Sequence, residues 1–266
     1  MIAIVAYAAT AAEPLASAWF DGFNNKARLI AGRAANQPES KLFAAIEIAM
    51  PEGWKTYWRT PGDAGGVPPD FNWEASENLA AARVLYPAPH RIVDKSGATF
   101  GYKDHVTFPV EITAKDATQP VTLRLKAAYG VCKELCVPAE AELTLVVPSS
   151  TDVSEHITAA LANVPAKQPV SGRDPALAAW RVTTDSGKPR LVLDVTDAPG
   201  TDNDAFVEGP EGIYLAPAKK VSSASGQSVY ELDLTDGVDL AALKGKNLTV
   251  TMTASGGQSE QVITLD

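Results

Sequence analysis

Residues 121–147 of the 266-residue chain read VTLRLKAAYGVCKELCVPAEAELTLVV, and this stretch decides the fold. Apolar and polar residues alternate over residues 121–127 and again over 143–147, which predicts two half-buried strands. Between them lie Cys132 and Cys136, the two cysteines of the sequence. On a helix, Cβ atoms four residues apart are about 5 to 6 Å from each other, whereas a disulfide needs about 3.8 Å. A tight loop between two strands can provide that distance, so the strand context favours a disulfide.

Alternating segments recur on both sides of this stretch. Residues 42–48 and 107–112 read as further strands, and Gly, Pro and Asp residues punctuate the sequence between them. Long segments with a 3.6-residue period are nearly absent. The pattern therefore predicts an all-β fold built as a sandwich, rather than βαβ units.

The pattern changes after residue 148. Residues 154–164 have apolar positions at helical spacing, with Ser154 as a candidate N-cap and Pro165 as a stop. Residues 166–175 read as a linker. A second set of strands is then predicted at residues 180–183, 190–195, 212–216, 229–234, 247–253 and 261–265. We therefore predict a first sandwich at 18–148, a helix and linker at 149–171, and a second small β-sandwich at 172–266.

The second unit contains neither Cys nor His, so few of its side chains suit chemistry. It is predicted to be a binding or spacing module, whose deletion would leave the chemistry of the cysteine pair intact.

Composition limits the classes of partner. The chain has a net charge of −9, whereas binding of nucleic-acid phosphates requires clustered Lys and Arg. No apolar run reaches the roughly 18 to 20 residues that span a bilayer. Residues 1–12, MIAIVAYAATAA, resemble a short or truncated signal peptide with a small-x-small cleavage site at residues 9–11. The alternative for this segment is a buried first strand, but export is the better-supported expectation.

The cysteine pair itself allows three interpretations. It can be redox-active, a structural staple, or a metal site. Loop-entropy arguments give a five-residue ring only about 2 kcal/mol of stabilisation, which favours the redox interpretation over the staple. Two thiolates also suit Cu(I) or Zn, but His90, His105 and His156 lie far apart in sequence, and we predict no metal and no cofactor. Lys133 would lower the pKa of a neighbouring thiol and Glu134 would raise it.

A second conspicuous stretch is residues 51–66, PEGWKTYWRTPGDAGG. On a strand, Trp54, Thr56 and Trp58 would share one face, and Lys55, Tyr57 and Arg59 the other. An aromatic core strand is the favoured interpretation, and a ligand platform is the alternative. No hydrolase triad spacing, metalloprotease motif, phosphate-binding loop or dinucleotide fingerprint is present.

Three motifs together resemble the amino-terminal periplasmic domain of the thiol:disulfide interchange protein DsbD, and more closely its ScsB-type version. They are GWKTYWRTPGDAGG (53–66), FGYKDHVTFPV (100–110) and YGVCKELCVPAEAEL (129–143). They occur in the family's order, and the resemblance covers roughly residues 19–147. The CxxxC spacing followed by Pro is also similar to the copper loop of Sco-type proteins, whose thioredoxin fold this sequence does not predict.

The resemblance to the DsbD family implies an immunoglobulin-like sandwich and a periplasmic location. It implies Cys136 as the cysteine that forms the mixed disulfide and Cys132 as its resolving partner. It further implies thioredoxin-fold periplasmic partners and a separate membrane electron donor of the DsbD/CcdA kind. The alternative function for the same pair is Cu(I) binding in copper tolerance. Phe100 and Tyr102 are candidate partner-facing aromatics, with burial in the core as the alternative. DsbD spaces its pair more widely and covers it with an aromatic cap loop, whereas the matching residues 93–97 contain no aromatic.

Overall fold

Antiparallel strands form almost all of the regular structure, as the alternation predicts. The computed structural model describes residues 15–184, 187–198, 202–235 and 239–265. The predicted signal peptide at 1–12 lies outside these ranges. The first twelve strands are β1 (Leu15–Ala16), β2 (Phe20–Gly22), β3 (Asn25–Gly32), β4 (Leu42–Ala49), β5 (Lys55–Gly62), β6 (Asp70–Asn72), β7 (Leu79–Val84), β8 (His90–Asp94), β9 (Gly97–Lys103), β10 (His105–Ala114), β11 (Val121–Cys132) and β12 (Cys136–Val147).

These strands form two sheets that face each other. One sheet has the order β1-β3-β4-β10-β7 with β2 beside β3, and the other has the order β12-β11-β5-β9-β8 with β6 beside β11. Side chains that alternate inward from both sheets fill the space between them, including Leu29, Phe108 and Leu123, none of which is exposed. The predicted all-β sandwich is confirmed. It begins before the predicted boundary at residue 18, since β1 pairs with β3.

The helix that follows is α1 (Glu155–Ala162). Ser154 caps it, because the Ser154 side chain accepts a hydrogen bond from the backbone N–H of Ile157. Ile157 is fully buried and packs against Ile30 and Phe43 on the outer face of the first sheet. The single linking helix and its cap were thus both predictable. In the described ranges, no helix is long and apolar enough to cross a membrane.

A second, smaller sandwich follows. Its elements are β13 (Ala176–Thr183), β14 (Arg190–Thr196), β15 (Asp204–Glu208), β16 (Lys219–Ala224), β17 (Gln227–Asp233), α2 (Leu240–Leu243), β18 (Asn247–Ala254) and β19 (Gly257–Thr264). One sheet has the order β13-β14-β17-β16, and the other β15-β18-β19. The predicted second β domain is confirmed as a sandwich.

The strand predicted at residues 212–216 is wrong. Gly212 has a φ of +79°, which forms a turn, and Pro217 cannot donate to a strand ladder. Leu215 is nevertheless only 6% exposed and anchors this loop in the second core. Leu215 is therefore buried without strand pairing.

The two sandwiches share part of their core. Phe206 of β15 is fully buried, and its ring meets those of Trp58 and Phe100 at centroid distances of 5.9 and 4.8 Å. Arg91 donates to both carboxylate oxygens of Asp204 at 2.8 Å. The second domain thus packs on β5, β8 and β9, the half of the sheet that adjoins the cysteine-bearing hairpin.

Candidate redox site

The hairpin of β11 and β12 brings the two cysteines together. The strands pair in register from Val121↔Val147 to Cys132↔Cys136, and three residues form the turn between them. The backbone N–H of Lys133 donates to the carbonyl of Leu135 at 3.3 Å and closes that turn. The Cα atoms of Cys132 and Cys136 are 4.1 Å apart and their sulfurs form a disulfide. The expectation that a hairpin supports the bond is confirmed.

The two sulfurs differ in exposure. Cys132 is 1% exposed, because the Tyr57 side chain of β5 lies against it, whereas Cys136 is exposed at the start of β12. Leu135, beside Cys136 in the turn, is 74% exposed. An external thiolate must reach a sulfur directly to exchange with it. Of the two cysteines, Cys136 is therefore the one that solvent reaches.

Tyr57 of β5 contacts both sulfurs. Its hydroxyl oxygen lies 2.8 Å from Cys132 Sγ and 3.0 Å from Cys136 Sγ. Neither disulfide sulfur carries a hydrogen, so the hydroxyl is the donor. Burial, followed by the negative charge of Asp94, raises the pKa of Tyr57. The hydroxyl consequently keeps its proton at neutral pH and can donate it to a thiolate when the disulfide opens.

Two glycines make room for the Tyr57 ring. A Cβ on Gly130 would lie 2.8 Å from the ring, and one on Gly66 would lie 2.1 Å from it. Gly66 also has a φ of +150°, in the region that side chains disfavour. We call the space between these two glycines the slot. The backbone N–H of Gly130 donates to the carbonyl of Val67, the residue after Gly66, at 3.2 Å, and this bond joins the two sides of the slot. The two glycines therefore lie beside opposite edges of the ring.

A buried lysine adds charge nearby. Lys55 lies opposite Cys132 in the β5–β11 ladder, and its ammonium donates to Asp94 at 2.9 Å and to Thr99 at 3.0 Å. The hydrogen bond from Lys55 holds the pKa of Asp94 below its usual range. Lys133, the neighbour from which the sequence predicts an effect on the thiol, donates instead to the carbonyl of Glu52 at 3.3 Å.

Phe100 and Tyr102, the two candidate partner-facing aromatics, lie inside the sandwich. They are 3% and 4% exposed. The ring of Phe100 packs edge-on against Phe206, and the hydroxyl of Tyr102 donates to the carbonyl of Pro87 at 2.9 Å. Alternation along β9 directs both toward the core, so neither ring is presented to a partner.

Sequence reasoning placed Tyr57 in an aromatic strand without linking it to the cysteines. The available signal was its shared face with Lys55, since a tyrosine and a lysine on one face of a core strand need polar partners. What the sequence could not show is that β5 pairs with β11 at Thr56 and Lys55. That long-range pairing brings the Tyr57 hydroxyl to the sulfurs.

The histidines gather away from the pair. His90, His105 and His156 all line one cleft of about 700 Å³ between the domains and α1, and neither cysteine lines it. Among the residues that the structure describes, no group of three His, Cys, Asp or Glu side chains is close enough to hold a metal ion.

Comparison with known proteins agrees with this site. Residues 26–148 match the family model described as thiol:disulfide interchange protein DsbD, N-terminal. That range contains all of β3 except its first residue, and β4 to β12, and therefore both cysteines and Tyr57. The match supports a thiol:disulfide interchange domain of the DsbD type over these residues.

A solved structure extends the likeness of fold to both sandwiches. The crystal structure of the N-terminal periplasmic domain of ScsB from Proteus mirabilis matches with a TM-score of 0.71 and 18% sequence identity. The match covers 95% of this chain and 99% of that one. At this identity the likeness shows the fold. A search of curated proteins gave no match.

Proposed function

We propose that this chain is a periplasmic thiol:disulfide interchange protein. It passes electrons between a separate membrane donor, of the DsbD/CcdA kind, and thioredoxin-fold partners. The observation that carries the proposal is the asymmetric disulfide, with Cys136 exposed, Cys132 buried, and the Tyr57 hydroxyl within hydrogen-bond distance of both sulfurs. A staple would not require a proton donor at its sulfurs.

The exchange proceeds through two substitutions at sulfur. In the reduced protein, the Cys136 thiolate attacks the disulfide of a partner, one partner sulfur leaves as a thiolate, and a mixed disulfide forms. The Cys132 thiolate then attacks Cys136 Sγ and expels the second partner sulfur. The partner gains two electrons and two protons, and the Cys132–Cys136 pair loses the same number.

Reduction by the membrane donor reverses these steps. A donor thiolate attacks the exposed Cys136 Sγ, and Cys132 leaves as a thiolate beside the Tyr57 hydroxyl. A leaving thiolate departs faster when its negative charge is stabilised, and the Tyr57 hydroxyl is placed to donate a hydrogen bond to Cys132 Sγ as that charge develops. The donor's second thiolate then displaces Cys136, so that the donor ends as a disulfide and this chain as a dithiol.

Trapping of the mixed disulfide tests the proposal. Each single variant, Cys132→Ser or Cys136→Ser, is incubated with an oxidised periplasmic thioredoxin-fold domain and separated on a non-reducing gel. Cys132→Ser keeps the exposed thiol and lacks the resolving one, so we expect it to accumulate a covalent complex. Cys136→Ser keeps only the buried thiol and should not. The double variant serves as the control.

Other outcomes would contradict the proposal in distinct ways. Equal trapping by both single variants would remove the assigned order. If neither variant forms the complex and the wild-type disulfide resists mild reductant, the pair is a structural staple. Stoichiometric binding of Cu(I) by the reduced protein, together with failure to exchange, would instead favour the carriage of copper.

A further inference from the structure

The strand that carries Tyr57 leaves its ladder immediately after that residue. Lys55, Thr56 and Tyr57 pair with β9, but the next paired residue of β5 is Gly62. On the other side, the ladder with β11 includes only Lys55 and Thr56. Residues 58–61 therefore belong to β5 without regular pairing to β9 or β11, and other contacts must hold them.

Carboxylates of the second domain hold this unpaired segment. Arg59 donates to Glu208 through Nε and Nη2, at 2.8 and 2.6 Å, and through Nη2 to Glu260 at 2.5 Å. The hydroxyl of Thr60 donates to Glu208 at 2.8 Å. The side chains of Glu208 and Glu260 are 13% and 7% exposed. Charge-assisted hydrogen bonds with so little solvent around them are among the stronger contacts in proteins.

The second domain also packs against the same segment through an apolar contact. Phe206, two residues before Glu208 on β15, meets the ring of Trp58 and is fully buried. It belongs to the core cluster of the first sandwich, while its neighbours Ala205 and Val207 belong to that of the second. Because a close-packed core transmits small displacements, a shift of β15 moves Trp58, whose backbone is bonded to that of Tyr57.

We propose that the second domain positions the Tyr57 hydroxyl at the disulfide by holding residues 58–60, with Glu208 as the principal positioning residue. This replaces the expectation that the second domain can be removed without effect on the cysteine pair. The inference rests on the proposed function only for its biological meaning, since the position of the hydroxyl affects reduction by any thiol.

The test measures the rate at which dithiothreitol reduces the Cys132–Cys136 disulfide in the full chain. Aliquots are quenched with an alkylating reagent, and the reduced fraction is read from the mass shift. The variants are Glu208→Ala, Tyr57→Phe and the two combined. Glu231→Ala is the matched control, because Glu231 is also a carboxylate of the second domain paired with an arginine, Arg190 at 2.9 Å, but lies on the other sheet.

We expect Glu208→Ala to slow reduction by about threefold or more, and by no more than Tyr57→Phe does. Glu231→Ala should reduce at the wild-type rate. If Glu208 acts through Tyr57, adding Glu208→Ala to Tyr57→Phe should cause no further slowing, which is the non-additivity of two residues that act as a unit. Glu208→Gln keeps one acceptor for Arg59, so it should fall between wild type and Glu208→Ala.

Two results would overturn the inference. One is a folded Glu208→Ala that reduces at the wild-type rate; should this variant fail to fold, the same result for Glu208→Gln counts equally. The other is an equal slowing by Glu208→Ala in the presence and absence of the Tyr57 hydroxyl. No protein partner enters the measurement. A failure to trap thioredoxin-fold partners would therefore contradict the proposed function and leave this inference standing.

Discussion

Replacement of Tyr57 by Phe removes a single oxygen atom from the redox site. The hydroxyl lies 2.8 Å from Cys132 Sγ and 3.0 Å from Cys136 Sγ, and Phe fits the slot between Gly66 and Gly130 that the ring already occupies. While the disulfide is intact, the hydrogen bond that Tyr57→Phe removes is weak, because a neutral sulfur is a poor acceptor. When an external thiolate attacks Cys136, negative charge develops on Cys132, and the same hydrogen bond strengthens.

The magnitude follows from that difference. A hydrogen bond to a charged group contributes about 1.5 to 3 kcal/mol. We take about half of the charge to have reached the leaving sulfur in the transition state, in line with the Brønsted slope of about 0.4 to 0.5 for the attacking thiol. About 0.75 to 1.5 kcal/mol of the hydrogen bond then affects the barrier, and at 1.4 kcal/mol per tenfold the expected slowing is about 3- to 12-fold.

The assay is the first-order rate of reduction by dithiothreitol at pH 7, and Tyr129→Phe is the matched control. Tyr129 lies on β11, is 1% exposed, and donates to Asn25 at 2.8 Å, so its variant also loses one buried hydroxyl but none at the sulfurs. Tyr57→Phe should reduce slowly and Tyr129→Phe at the wild-type rate. If both reduce at the wild-type rate while remaining folded, the Tyr57 hydroxyl does not assist the leaving thiolate.

Three further predictions concern how the site is held. Phe206→Ala should lower the free energy of unfolding by about 3 to 5 kcal/mol and the thermal midpoint by about 6 to 20 °C. A shift of the midpoint below 2 °C would show that the two cores are independent. Burial raises the pKa of the Glu260 carboxyl, but hydrogen bonds from its two basic partners outweigh this and lower it. The contribution of Glu260 to the free energy of unfolding is therefore complete above its ordinary pKa of about 4.3. It is lost as the pH falls through the lower pKa that Glu260 has in the folded protein. Melting curves of Glu260→Gln should differ from wild type at pH 7 and converge towards pH 3, and a constant difference would contradict this. Gly130→Ala places a Cβ 2.8 Å from the Tyr57 ring and should lower the midpoint by about 2 to 12 °C, whereas Gly256→Ala, whose nearest neighbour is 3.9 Å away, should not.

The strands that sequence reasoning found include those in which one face is buried and the other solvated, and also β4, of which six of eight residues are buried. β11 and β12 alternate almost residue by residue, and the period of two is visible in the sequence itself. β16 was missed because all six of its residues are exposed, as suits an edge strand, and Lys-Lys-Val-Ser-Ser-Ala shows no period. β15 was missed because five residues with three buried in succession are too short to display one.

The part of the site that is local in sequence, the cysteine pair in its hairpin, was predictable. A cysteine pair in a hairpin is a feature of 27 consecutive residues, from Val121 to Val147, and the sequence order alone brings its members together. Tyr57 is 75 residues away from Cys132 in the chain, and Glu208 is 149 residues away from Arg59. Such contacts depend on which strands become neighbours, and alternation indicates a strand's buried face but not its partner.

Strand β5 carries both Tyr57, which contacts the sulfurs, and Arg59, which binds the second domain, so the connection along this strand is short. A strand rises about 3.3 Å per residue, so Tyr57 and Arg59 are separated by about 7 Å along β5. Because each residue has only two soft backbone dihedrals, few rotations are available to absorb a displacement over this short distance. A change in the second domain that relaxes Arg59 therefore reaches the sulfurs without unfolding either sandwich. Stability and reactivity should consequently respond to different variants. Phe206→Ala should lower both, because it removes core packing and the support of Trp58, whereas Glu208→Gln should slow reduction and lower the melting temperature by less than Phe206→Ala does, because it keeps one acceptor for Arg59.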